Sequence, residues 1–406
     1  MKHKKHLNLI VIITLFYGIL LHTQAVARPW TEIVDSAKGQ TVDWYMWGGS
    51  PAANTYVNGY VVPEMKRRYD ITVRQVPIKD ISEIVSKILV EKQAGKNSDG
   101  KVDLMWINGE NFRTCKRNDL LFGPFADQLP NGKYVDWTRP SVKNDFGEPV
   151  EGLESPWGSA QVVMIYDSGR TPNPPRSLGD LIAWIRENPG RFAYPAPPDF
   201  TGSVFVRHVF YHVSGEVQLW QSNSDPEVFD TAAMATYSLL KGLAPSLWRG
   251  GRTYPESPIR LAHLFADREI DFAFSYHPAD ASKKIHDGLY PASVRTFIFD
   301  EGTISNTHFV AIPFNAGDKE GAMILADFLI SPEAQLAKAD QENWGDFPAI
   351  EVSRLNAGWR RKFRDLPLGI ATLPNDVLQA HQLPEPPSEI LIELEKGWQT
   401  HVLKAR

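Results

Sequence analysis

Residues 296–335 read TFIFDEGTISNTHFVAIPFNAGDKEGAMILADFLISPEAQ, and the punctuation of this stretch sets the expectation for the whole chain. Asp300-Glu301-Gly302 marks an acidic turn, His308 to Pro313 a β-rich run, Asn315 to Lys319 a short polar loop, and Ala322 to Gln335 a helical stretch. Ala322, Leu325, Ala326 and Leu329 recur at helical spacing. Ser331-Pro332-Glu333 then reads as a cap followed by Pro at the first position of a second helix.

Upstream, strands and helices alternate. Thr41 to Trp47 is β-rich, Ser50-Pro51 caps a helix reaching Tyr69, Ile71 to Val76 is a second strand, Asp80 to Ala94 a second helix, and Val102 to Ile107 a third strand. This βαβαβ order predicts a parallel sheet. Ile81, Ile84, Val85, Ile88 and Leu89 form an apolar stripe that lays the second helix on it. Open parallel sheets bind ligands beyond the carboxyl ends of their strands. Two loops there combine an aromatic face, permissive Gly and short polar groups: Trp47, Gly48, Gly49 and Ser50 after the first strand, and Trp106, Asn108, Glu110 and Asn111 after the third. Such loops suit a small polar molecule.

At the amino end, Lys2, Lys4 and Lys5 precede an apolar run from Leu7 to Leu21, and Ala25-Val26-Ala27 supplies a small-x-small cleavage pattern. The run is shorter than the roughly 20 residues a membrane span needs, so residues 1–27 are expected to be a signal peptide cleaved before Arg28. Removing it changes 43 basic against 48 acidic residues to 40 against 48. An acidic chain without a basic stripe argues against nucleic acid as partner. The single cysteine, Cys115, excludes an internal disulfide and lies far from any lipid-acceptor position. The mature length exceeds one ordinary domain, and 43% hydrophobic residues can fill two cores.

The stretch at 296–335, together with WYMWGGSPAAN, DLMWINGENF, SPWGSAQVVMIYDS and SLGDLIAWIRENPGRFAYPAPPDFTGS in that order and spacing, resembles the extracellular solute-binding proteins of ATP-driven importers, over essentially the whole mature chain. The resemblance implies an α/β, two-lobed periplasmic-binding-protein-like fold, with mixed, mainly parallel sheets flanked by helices and a ligand cleft between the lobes. It divides the chain at 28–158 for lobe 1, 159–306 for lobe 2, 307–348 for a return segment of lobe 1, and 349–406 for lobe 2 or C-terminal helices. It places Trp157 and Gly158 at the interlobe crossing. Thr201, Gly202 and Ser203 start a ligand-facing helix in which Thr201 could cap, and Tyr276 stands where relatives put an aromatic ligand contact. The implied protein is a periplasmic monomer without cofactor or metal. It closes on one solute and presents it to a membrane permease and its ATPase. The subgroup resembles receptors assigned to thiamine import, and Glu110 beside Trp106 fits an organic cation. Carbohydrate and polyamine are the alternatives within transport.

The runner-up class, a secreted hydrolase, finds little anchor. Gly48-Gly49-Ser50-Pro51-Ala52 approximates a nucleophile elbow, but Pro51 lacks the N–H an oxyanion hole would use. Gly95 to Lys101 fits a phosphate-loop spacing, yet Val102 follows the Lys and the loop connects helix to strand. His208, His212 and Glu216 recur at helical spacing and read as a helix face rather than a metal site. Asp267, Glu269 and Asp271 read as structural acids at a turn.

Overall fold

The computed structural model describes residues 28–215, 217–221 and 225–404; the expected signal segment and Glu216 lie outside them. Eleven strands are described: β1 (Thr41–Trp47), β2 (Thr72–Ile78), β3 (Leu104–Ile107), β4 (Asn144–Asp145), β5 (Glu148–Pro149), β6 (Glu154–Gln161), β7 (Val163–Asp167), β8 (Phe272–Ser275), β9 (Val294–Phe297), β10 (Thr303–Ala311) and β11 (Gln382–Pro384). The first three follow the βαβαβ pattern. Ser50 accepts a hydrogen bond from the Ala53 amide, and Pro51 starts a helix that continues through a wider turn at Val57–Val61 to Tyr69. Asp70, at φ 55°, ends it. The helix Ser82–Gln93 buries Ile84, Val85 and Ile88, and Gly95, at φ 74°, turns the chain toward β3.

β1 lies between β2 and β3, parallel to both. β10 runs antiparallel to β3 at Phe309–Ala311 and carries β6 antiparallel along Ser305–Ala311, while β11 pairs parallel with its first residues. A separate sheet has β7 between β8 and β9, antiparallel to both. The second sheet is thus antiparallel where mainly parallel pairing was expected, since its middle strand, β7, runs opposite to both β8 and β9.

Each sheet organises its own core. Val42, Trp44 and Met46 alternate on one face of β1 and pack with Ala322, Leu325, Ala326 and Leu329 of the helix Lys319–Leu329. Ser331 caps the next helix, Pro332–Ala339, by accepting from the Ala334 amide. The second core joins Phe272 and Phe274 to Val204, Phe205 and Val209 of the helix Phe200–Ser214, and to Leu394 and Trp398 of the helix Ser388–Trp398. The chain passes between the cores three times: Trp157 belongs to the first and Val162 to the second, Ile304 to the second and Val310 to the first, Leu355 to the first and Ala371 to the second. Three crossings make a two-lobed body: two follow strands, from β6 into β7 and along β10, and the third passes through the helix Ala357–Arg364.

Sequence patterns without a site role find structural ones. His208 is buried, with Nδ1 facing the Val204 carbonyl at 2.8 Å and Nε2 accepting from the Ile304 amide at 3.0 Å. Burial pushes its pKa down to about 4, and both ring nitrogens are occupied. Asp271 receives Arg191 and Arg170, and Glu269 accepts from the Trp248 indole at 2.8 Å. Cys115 is fully buried, and burial pushes its thiol up to about 12. The native protein is therefore expected to leave a thiol reagent such as 5,5′-dithiobis(2-nitrobenzoate) unreacted at pH 8, and to consume one equivalent on unfolding.

Candidate functional site

The carboxyl ends of β1 and β3, the middle of β10, the end of β8 and the start of the helix Phe200–Ser214 converge between the lobes. Trp47 ends β1 with 41% of its surface exposed. Gly49 lies directly beneath its indole, where any Cβ would overlap the ring, and a Cβ on Gly48 would crowd Pro77. The Asn54 amide donates to the Gly48 carbonyl at 2.9 Å, so this turn is held by the helix it leads into. Ser50 is occupied as that helix's cap.

Trp106, next to last in β3, is half-buried, with its ring edge-on to Trp157 and His308 at 4.9 Å from each. Trp157 is fully buried among Trp44, Trp106 and Trp344, so it supports Trp106 from behind instead of lining the cleft. Gly158 is a close-approach position, since a Cβ there would overlap Asp346 and crowd His308 and Lys338. Beneath this floor Lys338 donates to Asp346 at 2.6 Å and to the Phe347 carbonyl at 2.9 Å, with both ionic side chains buried. Burial opposes the charge on Asp346, but Lys338 and His308 hold its carboxyl down at about 2.

The loop after β3 is pinned by Asp145, whose carboxylate accepts from the Gly109 amide at 2.6 Å. Burial, together with nearby Asp145, raises the Glu154 carboxyl well above its usual range, while burial likewise raises Asp145. Asn108 is half-buried in the same loop. Glu110 opens the helix Glu110–Arg117 and accepts from its neighbour Asn111 at 3.0 Å. Burial pushes its carboxyl up, Arg207 across the cleft pulls it down, and Asp80 and Glu385 push it up again.

On the second lobe the expected helix start is present, but Asp199 is the cap, accepting from the Gly202 amide at 2.9 Å. Thr201 is the second residue of the helix, buried, and does not cap. Asp199 holds the place because it is the residue immediately before the helix, from which a side-chain oxygen meets the amide three positions on. A Cβ on Gly202 would overlap the Pro195 carbonyl, so this Gly serves close backbone packing. Ser203 Oγ accepts from Arg207 at 2.7 Å. Tyr276 follows β8; its hydroxyl accepts from Arg207 Nη2 at 2.6 Å and donates to Glu385 Oε1 at 2.6 Å, and its ring stacks on Phe200 at 4.9 Å.

Arg207, Glu385, Asn306, His308, Phe146 and Phe200 therefore join the site although none was singled out from sequence. Two signals were available. An Arg in the apolar run VFVRHVF must find a buried partner, and Asn306 and His308, two apart in a strand, share a face. Phe146 had no local signal; its ring meets Phe200 across the lobes at 6.1 Å only because the chain folds. The lobes also touch through the Ser388 amide on the Phe146 carbonyl at 3.1 Å, and on the opposite flank through His277 and the Trp344 carbonyl at 3.1 Å.

Two lobes, three crossings and a cleft framed by strand ends and helix starts define the periplasmic-binding-protein fold. A family model described as bacterial extracellular solute-binding protein matches residues 61–363, and the chain belongs to that family. Protein YnjB of Escherichia coli (strain K12) is 39% identical over 372 residues, spanning 92% of this chain and 93% of that protein. Among solved structures, a periplasmic thiamin binding protein superposes with a TM-score of 0.61 at 18% identity, covering 89% of this chain and 96% of the other. A putative spermidine/putrescine ABC transporter from Listeria monocytogenes gives 0.61 at 15% identity, covering 90% and 99%. Identities this low establish shared architecture, and the solute is a separate question.

Burial separates the roles of the two loop tryptophans. Trp47→Ala is expected to leave the unfolding free energy within about 0.5 kcal/mol of wild type, whereas Trp106→Ala, removing the ring wedged against Trp157 and His308, is expected to cost about 3 kcal/mol. Urea unfolding followed by circular dichroism measures both. Lys338→Met, leaving Asp346 buried and unpaired, is expected to cost about 3–5 kcal/mol in the same assay.

Proposed function

We propose that this protein is the periplasmic receptor of an ATP-driven importer, and that it captures a small organic cation of the thiamine type between its lobes and delivers it to a membrane permease and ATPase. Export through the amino-terminal segment and action as a monomer belong to the same reading. The observation that carries it is Glu110: a carboxyl on the first-lobe side of the cleft, substantially buried, that enters no ion pair among the described residues and is met by the side-chain amide of Asn111 and by its own backbone N–H. Aromatic faces belong to both lobes: Trp106, four residues before Glu110, on one, and on the other the Phe200–Tyr276 stack, whose Tyr276 hydroxyl bonds Arg207. A flat cation would compensate the carboxylate and find π surfaces, each contact worth about 0.5–2 kcal/mol.

Trp47, Gly48, Gly49, Ser50, Asn108 and Asn111 from the first lobe, and Thr201, Gly202, Ser203 and Tyr276 from the second, frame the solute in this proposal. Trp157 and Gly158 act behind it. In this proposal capture involves no bond chemistry, and Ser50 of the elbow-like sequence serves as a helix cap, its Oγ accepting from the Ala53 amide. A solute that touches both lobes stabilises their closed arrangement, because only that arrangement offers all its contacts at once.

The mature, ligand-free protein is expected to gain about 2.7 kcal/mol of stability with thiamine at a hundredfold excess over Kd. Thermal unfolding and intrinsic Trp fluorescence read the effect, and small-angle scattering reads a smaller radius of gyration. A shift with glucose or spermidine in place of thiamine would keep the receptor and replace the solute. A confirmed solute with an unchanged radius would refute closure on binding.

A further inference from the structure

Asn306 stands midway along β10 on the face it shares with His308, with 6% of its surface exposed. Its amide has one possible orientation, because Nδ2 donates to Glu385 Oε1 at 3.1 Å and a carbonyl oxygen could not. No donor among the described residues reaches the remaining oxygen, Oδ1.

Glu385 is committed to the buried Arg207. Its Oε1 takes Tyr276 at 2.6 Å, Arg207 Nη2 at 3.3 Å and Asn306, while its Oε2 lies 2.8 Å from Arg207 Nε as an ion pair without a hydrogen bond of its own. The carboxylate is an anchor that sets the Asn306 amide, its charge is matched by Arg207, and Asn306 Oδ1 is the neutral acceptor left over beside it. Its surroundings match a cleft floor: along the strand stands His308, whose ring meets Trp106 at 4.9 Å and lies parallel to Trp344, and beside Glu385 stands Tyr276. A buried carbonyl oxygen with no donor carries an unrecovered desolvation cost, and a binding partner that supplies the donor recovers it.

We infer that Asn306 Oδ1 accepts an N–H of the captured solute, so that the receptor selects cationic or amino-heteroaromatic groups bearing N–H and rejects analogues that present only acceptors at that point. The inference rests on the organic-cation reading and narrows it: charge alone does not suffice, and a quaternary cation without N–H is a poor solute. Discrimination follows because an acceptor facing an acceptor leaves both unpaired.

Two paired measurements test it, with Kd taken from Trp fluorescence titration. In the first, wild type is titrated with thiamine and with oxythiamine, whose exocyclic amino group is replaced by a carbonyl oxygen, and with putrescine against its hexamethyl bis-quaternary analogue, which keeps both charges and has no N–H. In the second, Asn306→Ala is titrated with the same four compounds, after circular dichroism confirms its fold. The expected result is that wild type prefers the N–H member of a pair by about tenfold or more, and that Asn306→Ala loses most of the preference. Thiamine bound with the same Kd by wild type and variant would overturn the role of Asn306 and leave the proposed function standing. Putrescine bound by wild type and lost in the variant, with thiamine ignored, would do the reverse. Preference for an acceptor-only member, or no binding of either N–H compound, would overturn the inference. Should Asn306→Ala fail to fold, Asn306→Ser, which keeps a polar side chain but withdraws the Oδ1 acceptor, is titrated in its place and read by the same outcomes.

Discussion

The carboxylate of Glu385 gathers three parts of the chain that are far apart in sequence: Arg207 from the middle of a helix, Tyr276 from the end of β8, and Asn306 from the central crossing strand. Each partner needs it. Arg207 is wholly buried, and a guanidinium in that position is tolerable only when a carboxylate and enough acceptors meet it; Ser203 and Tyr276 complete the set. Although burial opposes its charge, Glu385 holds Arg207 firmly protonated. The result is a charge-compensated knot where the second lobe joins the crossing strands, with Asn306 Oδ1 among the atoms it leaves without a hydrogen bond. Remove the carboxylate, and a buried cation, a tyrosine hydroxyl and an amide lose their common partner together.

A second ionic pair performs a similar task under the first lobe's side of the cleft. Lys338 and Asp346 neutralise one another beneath Gly158 and His308, and a glycine is required there because the pair leaves no room for a side chain. Four tryptophans then pack over and beside it, of which Trp106 comes nearest the cleft. The two pairs together hold Asn306 and His308 on one rigid strand, so the floor of the cleft is stiff while the lobes on either side are joined by only three crossings. Rigid floor and thin connections are what hinge closure requires. In the arrangement described here the lobes already touch on both flanks, through Phe146 and Phe200 on one and through His277 and Trp344 on the other.

Local patterns carried much of this. The βαβαβ order, the Ser50 and Ser331 caps and the helix-to-strand turn at Gly95 follow from side-chain periodicity and cap chemistry, which act over a few residues and leave a mark in the sequence. The loops at Trp47 and Trp106 were legible for the same reason, since strand ends beside Gly and short polar residues are recognisable without a partner in view. What misled was any inference about occupancy. Thr201 looked like a cap, yet Asp199 two residues earlier holds that place, and Trp157 looked like a cleft face but is spent in packing. A residue type tells what bonds a side chain can make, and competition among neighbours decides which it does make.

The amino-acid sequence by itself determined the alternation of elements and the need for two cores, because these depend on periodicity and length, and its ordered segments carried the resemblance to solute-binding proteins. The antiparallel second sheet, the partners of Arg207 and Glu385, and the placing of Asn306 on the cleft floor were decided only by tertiary structure. Residues 207, 276, 306 and 385 meet through long-range packing whose geometry no local pattern encodes. A buried charge announces in sequence that it must be paired; which residue pairs it is settled when the chain closes around it.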